Sequence, residues 1–178
     1  MADPKAPGDG YDVLINRLVA QERRMDELEI ATGTQRARTT ANTPILGGDT
    51  ASSTGIGLLS ASWLTYATVT VPVPLGKTIA KFVAIANGAV LDTTTGGVTS
   101  LSARIVIADT FISLEAPAAK DAGASQVNNV VQLAYSANLT GISGSVKAEL
   151  QIKPLNAAAY PARAQNYASI TAFVSFTA

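Results

Sequence analysis

From Trp63 to the C-terminus, apolar and polar side chains alternate with period two in one stretch after another. A chain patterned in this way can hide its apolar faces only by pairing into sheets that cover each other. The clearest stretch sets Val146, Ala148, Leu150 and Ile152 against Lys147, Glu149, Gln151 and Lys153, and the last sets Ala168, Ile170, Ala172, Val174 and Phe176 against hydroxyls and Phe173. Trp63, Thr65, Ala67, Val69, Val71 and Val73 read as one face of an earlier strand, ended by Pro72 and Pro74 at an edge and by a turn at Gly76. Residues 78–86 are apolar on both faces apart from Lys81, as in a central or interface strand, and Asn87-Gly88 reads as a tight turn. Leu101, Ala103, Ile105 and Ile107 form a further inward face, with shorter candidates at 111–115 and 130–136 separated by a loop at 117–126. Seven or eight strands with no second helix predict an antiparallel, jelly-roll-like β-sandwich over residues 58–178.

A different period governs the N-terminal part. Tyr11, Leu14, Leu18, Gln21, Met25, Leu28 and Thr32 recur at alternating spacings of three and four, which predicts a coiled-coil helix over residues 11–32. Asp9 stands at the N-cap, with Asp12 three residues on, and Gly33 is placed to end the last turn. Arg17 and Arg24 take positions that face Glu22 and Glu29 of a neighbouring parallel helix. The run from Arg24 to Glu29 has the Arg-apolar-x-x-apolar-Glu form of trimeric coils, and the run from Arg17 to Glu22 repeats it with Gln21 in the second apolar place. A helix folded back on its own domain and a dimer are the alternatives to a parallel trimer. Residues 1–10 are expected to be a disordered or docking N-terminus, and residues 33–57, rich in Thr, Gly and Ser, a connector.

Charge separates the two parts. Of 26 charged residues 13 fall before residue 39, while Ser and Thr number 28 from residue 41 onward. A β domain this poor in charge either solvates itself with hydroxyls or buries its exterior against copies of itself. The balance of 13 basic and 13 acidic residues provides no attraction to nucleic acid, and no stretch is long and apolar enough to insert into a membrane. With no cysteine and no histidine, disulfides, Cys/His zinc sites and His-dependent nucleophilic catalysis are excluded. The β domain's acids, Asp49, Asp92, Asp109, Glu115, Asp121 and Glu149, show no spacing that pairs two across a cleft. No catalytic residue, metal ligand or cofactor is therefore expected, and Asp92, Asp109 and Asp121 read as turn residues. The rings of Trp63, Tyr66, Tyr135, Tyr160 and Tyr167 suit sugar stacking or interface packing, and Tyr160, beside Pro161, is the candidate surface ligand contact.

The coil from Gln21 to Glu29, the connector, the stretch Ala67 to Gly76, the turn Leu139 to Ser145 and the ending Ala168 to Phe176 together resemble the minor tail and tail-fibre proteins of tailed phages, especially those of actinobacterial hosts. That resemblance implies a non-enzymatic homotrimer, made in the host cytoplasm and built into the virion tail. Its partners would be other tail or virion proteins and a host-surface glycan or protein. The alternatives are a head decoration or collar protein without receptor contact, and a carbohydrate-binding module. In the coil, the exposed Arg–Glu pairs are worth about 0.2–1 kcal/mol each, less than the buried Leu18, Met25 and Leu28 layers. Leu28→Asp is therefore expected to melt the helical signal of the full chain in circular dichroism at a much lower temperature, and Arg24→Ala to lower the melt only slightly; equal effects would refute the hydrophobic seam.

Overall fold

The computed structural model describes the backbone of residues 9–178 and the side chains of residues 16–35 and 43–178. It divides into two compact units, residues 1–43 and 44–178.

In the first unit α1 runs Asp9–Asn42. The helix therefore continues ten residues past the expected end, through Gly33 and into the segment predicted as connector. A single glycine costs a helix only about 1 kcal/mol. The hydroxyls on either side of Gly33 bond within the helix, Thr32 Oγ1 donating to the Leu28 carbonyl at 2.6 Å and Thr34 Oγ1 to that of Ile30 at 2.8 Å. The real stop is Pro44, whose ring disfavours helical backbone at Thr43.

The rest of the expected connector is also regular. β1 spans Ile45–Thr54, followed by β2 Leu64–Pro72, β3 Ile79–Asp92, β4 Thr99–Ile107, β5 Phe111–Ile112, β6 Ala116–Lys120, β7 Val127–Thr140, β8 Ser145–Pro154 and β9 Tyr167–Thr177. All pairings are antiparallel and nested: β1 with β9, β2 with β8, β3 with β7 and β4 with β6. Two further pairings, β3 with β9 and β4 with β8, roll this long hairpin into sheets ordered β1-β9-β3-β7 and β2-β8-β4, with β5 and β6 beyond β4. That order is a jelly roll, so the expected mainly-β sandwich is what the second unit forms.

The core lies between the sheets. Phe82, Ile105, Leu150, Ile152, Ile170 and Phe176 are fully buried there, each contributing about 1.5–3 kcal/mol by leaving water. β8 and β9 show the expected alternation, β3 is central in its sheet, and β2, ending at Pro72, is an edge.

Three expectations change. Asn87-Gly88 makes no turn: β3 passes straight through it, with Gly88 opposite Val131 and Ala168. A Cβ at Gly88 would stand 3.2 Å from Val131 Cγ2 and 3.4 Å from the Tyr167 carbonyl oxygen, so the glycine serves a close approach between strands. Part of the expected 117–126 loop is β6, which pairs with the first half of β4. A bulge between Thr65 and Ala67 breaks the parity of β2. Ala67, Val69 and Val71 face inward as expected, but Leu64 pairs with the buried Ile152, which turns Trp63 and Thr65 to the outer face.

Where the hairpin folds over, Asn166 fastens three segments. Its fully buried amide donates to the Ile56 carbonyl at 2.8 Å and the Pro161 carbonyl at 3.1 Å, and accepts from the Leu91 N–H at 2.9 Å. Asn166→Ala leaves those backbone groups without partners and is expected to lower unfolding free energy by about 3 kcal/mol in urea titration; a loss below about 1 kcal/mol would show that the segments are held by other means.

Candidate interaction surfaces and buried polar centre

Of the residues predicted at the trimer seam and its flanks, Arg17, Leu18, Gln21, Glu22, Arg24, Met25, Leu28 and Glu29 are all exposed on α1, Leu18, Met25 and Leu28 by 56%, 63% and 65%. The side chain of Leu14, like that of Tyr11, lies outside the described residues, as do residues 1–8.

Tyr160 is not a surface contact. A one-turn helix over Ala157–Ala159, capped by Asn156 Oδ1 accepting from the Ala158 N–H at 3.1 Å, carries the chain inward, and Tyr160 is completely buried. Its carbonyl accepts from the Leu58 N–H at 2.9 Å, and its hydroxyl accepts from Asn129 Nδ2 at 3.3 Å. Burial pushes the phenol pKa up, against a hydrogen bond with Thr99 that lowers it and with the charge of Asp92 adding to the rise.

Tyr160 is thus one wall of a polar centre at the end of the sandwich core. Asp92, at the end of β3, accepts from Thr99 Oγ1, from the Thr94 N–H at 2.8 Å and from Thr94 Oγ1 at 2.6 Å. Lys120, at the end of β6, lies 3.5 Å from Asp92 and donates to Thr94 O and Thr94 Oγ1, each at 2.7 Å. Both charged side chains are wholly shielded from solvent. Asp92 takes the turn role expected of it, and the Thr94 bond is that turn; the partnership with Lys120 is what spacing along the chain concealed.

The outer face of the β2-β8-β4 sheet holds a second polar system. Thr65 Oγ1 and Gln151 Nε2 each donate to Glu149 Oε2 at 3.0 Å, and Lys147 Nζ donates to Glu149 Oε1 at 3.1 Å and reaches Asp109 at 2.8 Å. Arg104 Nε donates to Gln151 Oε1 at 3.0 Å. The Arg104 guanidinium carbon and Lys153 Nζ stand 4.2 Å and 4.7 Å from the centroid of the Trp63 ring. Partial burial pushes the Glu149 carboxyl up, but the bonds from Gln151, Lys147 and Thr65 outweigh it and hold the group below its ordinary pKa. Asp109, first, and Glu149 raise the Lys147 ammonium. Glu149 is therefore ionised at neutral pH and has no proton to donate to a leaving group. Parity reasoning missed Trp63 as an outer residue because a bulge leaves no mark in an alternating pattern.

The outer face of the β1-β9-β3-β7 sheet contrasts with it. Lys81 is the single charged side chain among the described outward residues of those four strands, while Leu46, Val130, Phe173 and Ile85 are 80%, 52%, 55% and 42% exposed. The remaining rings are placed apart: Tyr167 is on this face, 39% exposed, and Tyr66 and Tyr135 pack partly buried against the core, the Tyr66 hydroxyl accepting from the Leu59 N–H at 3.2 Å. Among the described residues no group of three or more Asp and Glu side chains could hold a metal ion, and no helix is long and apolar enough to cross a membrane.

No family model and no curated protein matches the chain. Among solved structures it is similar to murine APRIL at 6% identity, covering 70% of this chain and 98% of that one with a TM-score of 0.39. Latent PorU from Porphyromonas gingivalis is 10% identical, with 77% of this chain covered and a TM-score of 0.43. The VP2 subviral particle of infectious bursal disease virus is 13% identical, again over 77% of this chain, with a TM-score of 0.33. The chain spans 13% of the PorU chain and 33% of the VP2 chain.

Removing one member of a buried ion pair costs about 3–5 kcal/mol because the other stays buried and charged. Lys120→Met is therefore expected to destabilise the protein by that amount at neutral pH in chemical denaturation, and Lys120→Met with Asp92→Leu to recover part of the loss; a single variant within about 1 kcal/mol of wild type would refute the charged pair.

Proposed function

We propose that the protein is a non-enzymatic structural component of a virion, a homotrimeric tail-fibre or tail-tip protein of a tailed bacteriophage. Its N-terminal helix associates in parallel and docks toward the particle, and its jelly roll meets the host cell surface or neighbouring tail proteins. The observation that carries this reading is the joining of two unlike units. A 34-residue helix presents Leu18, Gln21, Met25 and Leu28 to solvent, flanked by Arg17, Glu22, Arg24 and Glu29, and it leads directly into a jelly roll. Leucine and methionine in such a stripe favour burial against an identical helix, and the flanking charges match in parallel. In the jelly roll, Asp92, Asp109 and Glu149 are each bound to a lysine, which supports a structural role over a hydrolytic one.

Light scattering on the full chain is expected to report a mass near three times 18.3 kDa. An antibody against residues 60–178 is expected to label intact particles at the tail tip. Label on the capsid or collar would replace this reading with the decoration-protein alternative, and a monomer in dilute neutral buffer would remove the trimer.

A further inference from the structure

We infer that the outer face of the β1-β9-β3-β7 sheet is where copies of this chain pack against each other. The inference rests on the trimeric reading above and assigns it a surface. The two outer faces of the sandwich share one fold and one solvent, yet differ in chemistry. On β8 and β4 the outward positions include Lys147, Glu149 and Arg104, tied into hydrogen-bonded chains, and Lys153, over the Trp63 ring. On the other face the outward residues of β9 are Tyr167, Ser169, Thr171, Phe173 and Ser175. Across from them on β3 stand Ala89, Asn87, Ile85, Val83 and Lys81, in that order, with Ile79 opposite Thr177. Phe173 is directly opposite Val83, and Tyr167 lies in line with Ala89 and Val130, so the apolar groups form rows across strands.

The edges of this sheet agree. β7 is a 14-residue edge strand without a charge or a proline, whereas edge strands facing water ordinarily carry one or the other to prevent pairing with another chain. β1, the opposite edge, carries only Asp49. A neutral face offers nothing to steer an acidic or basic partner, but it is compatible with its own copies. Lys81 does not oppose this, because a lysine stem covers apolar surface while its ammonium reaches the rim. Four strands of this length, about 4.8 Å apart with about 3.4 Å per residue, make a face of about 800 Å². That is about what each partner buries in a stable interface. Chain connectivity supplies the occupant. Only Thr43 and Pro44 separate α1 from β1, so helices gathered in a parallel bundle gather the first strands of the same three chains, and β1 belongs to the charge-poor sheet.

The test uses the full chain. Ile85→Glu with Phe173→Glu places two carboxylates on the face at exposed positions, and Thr70→Glu with Ser145→Glu places two on the opposite sheet. Light scattering over a dilution series is expected to show the first pair raising the concentration at which the trimer dissociates by about tenfold or more, and the second by less than about threefold. Hydroxyl-radical footprinting of the wild-type trimer is expected to protect Phe173 and Tyr167, which keeps the inference testable if the charged face impairs folding. A wild-type trimer in which both rings react freely, or in which the two variant pairs behave alike, overturns the face while leaving the trimer standing. A monomeric wild-type chain overturns both.

Discussion

Every strand of the jelly roll has two faces, and the pleat sends neighbouring side chains to opposite ones. A sandwich hides one face of each sheet, so a strand's parity decides which side chains form the core and which meet the outside. The nested pairings of β1 with β9, β2 with β8, β3 with β7 and β4 with β6 transmit that parity from strand to strand. Phe82 and Val174 face each other inward because Lys81 and Ser175 face outward beside them. Where the parity shifts, at the Thr65/Ala67 bulge, Trp63 leaves the core and becomes the ring under Arg104 and Lys153.

Polar groups follow the same constraint. Those trapped inside must find partners there, and they do: Asp92 with Lys120, Thr94 and Thr99, and Asn166 with three backbone segments. Among the described residues no buried side-chain nitrogen or oxygen lacks a hydrogen bond. Such a centre stabilises less than an apolar one of equal volume, but it penalises a misplaced strand heavily, since a slip by one residue would strand a charge in the core. On the outside, one sheet carries its charges in a connected chain from Asp109 to Arg104, and the other is nearly free of them. This division of surface chemistry is what the proposed assembly uses.

The functional reading depends on both units. In the proposed assembly the helix contributes a stripe and a charge pattern that act between chains, and the jelly roll contributes a face. The low charge of the β domain is shared unevenly between its sheets, most of the neutrality belonging to one of them.

Strand identity and inward parity in β8 and β9 were readable from local alternation, because the pleat repeats every two residues and needs no knowledge of the partner strand. The N-terminal helix was readable in the same way from its spacing of three and four. Its length was not, since a glycine flanked by threonines looks like a stop until their hydroxyls bond to the preceding turn. Asn87-Gly88 has the composition of a hairpin turn, and only the closeness of Val131 and the Tyr167 carbonyl across the strands explains the glycine within β3. Tyr160 stood beside a proline in a loop, and its burial depended on a turn that pulls it beneath β3 and β7. The Asp92–Lys120 pair, 28 residues apart, and the cluster around Trp63, whose members come from three segments, arise only when distant strands are laid side by side. Periodic burial is a local property of the chain, whereas contact between strands remote in sequence is set by which edges pair and where a bulge falls, and that is settled by packing of the whole sandwich.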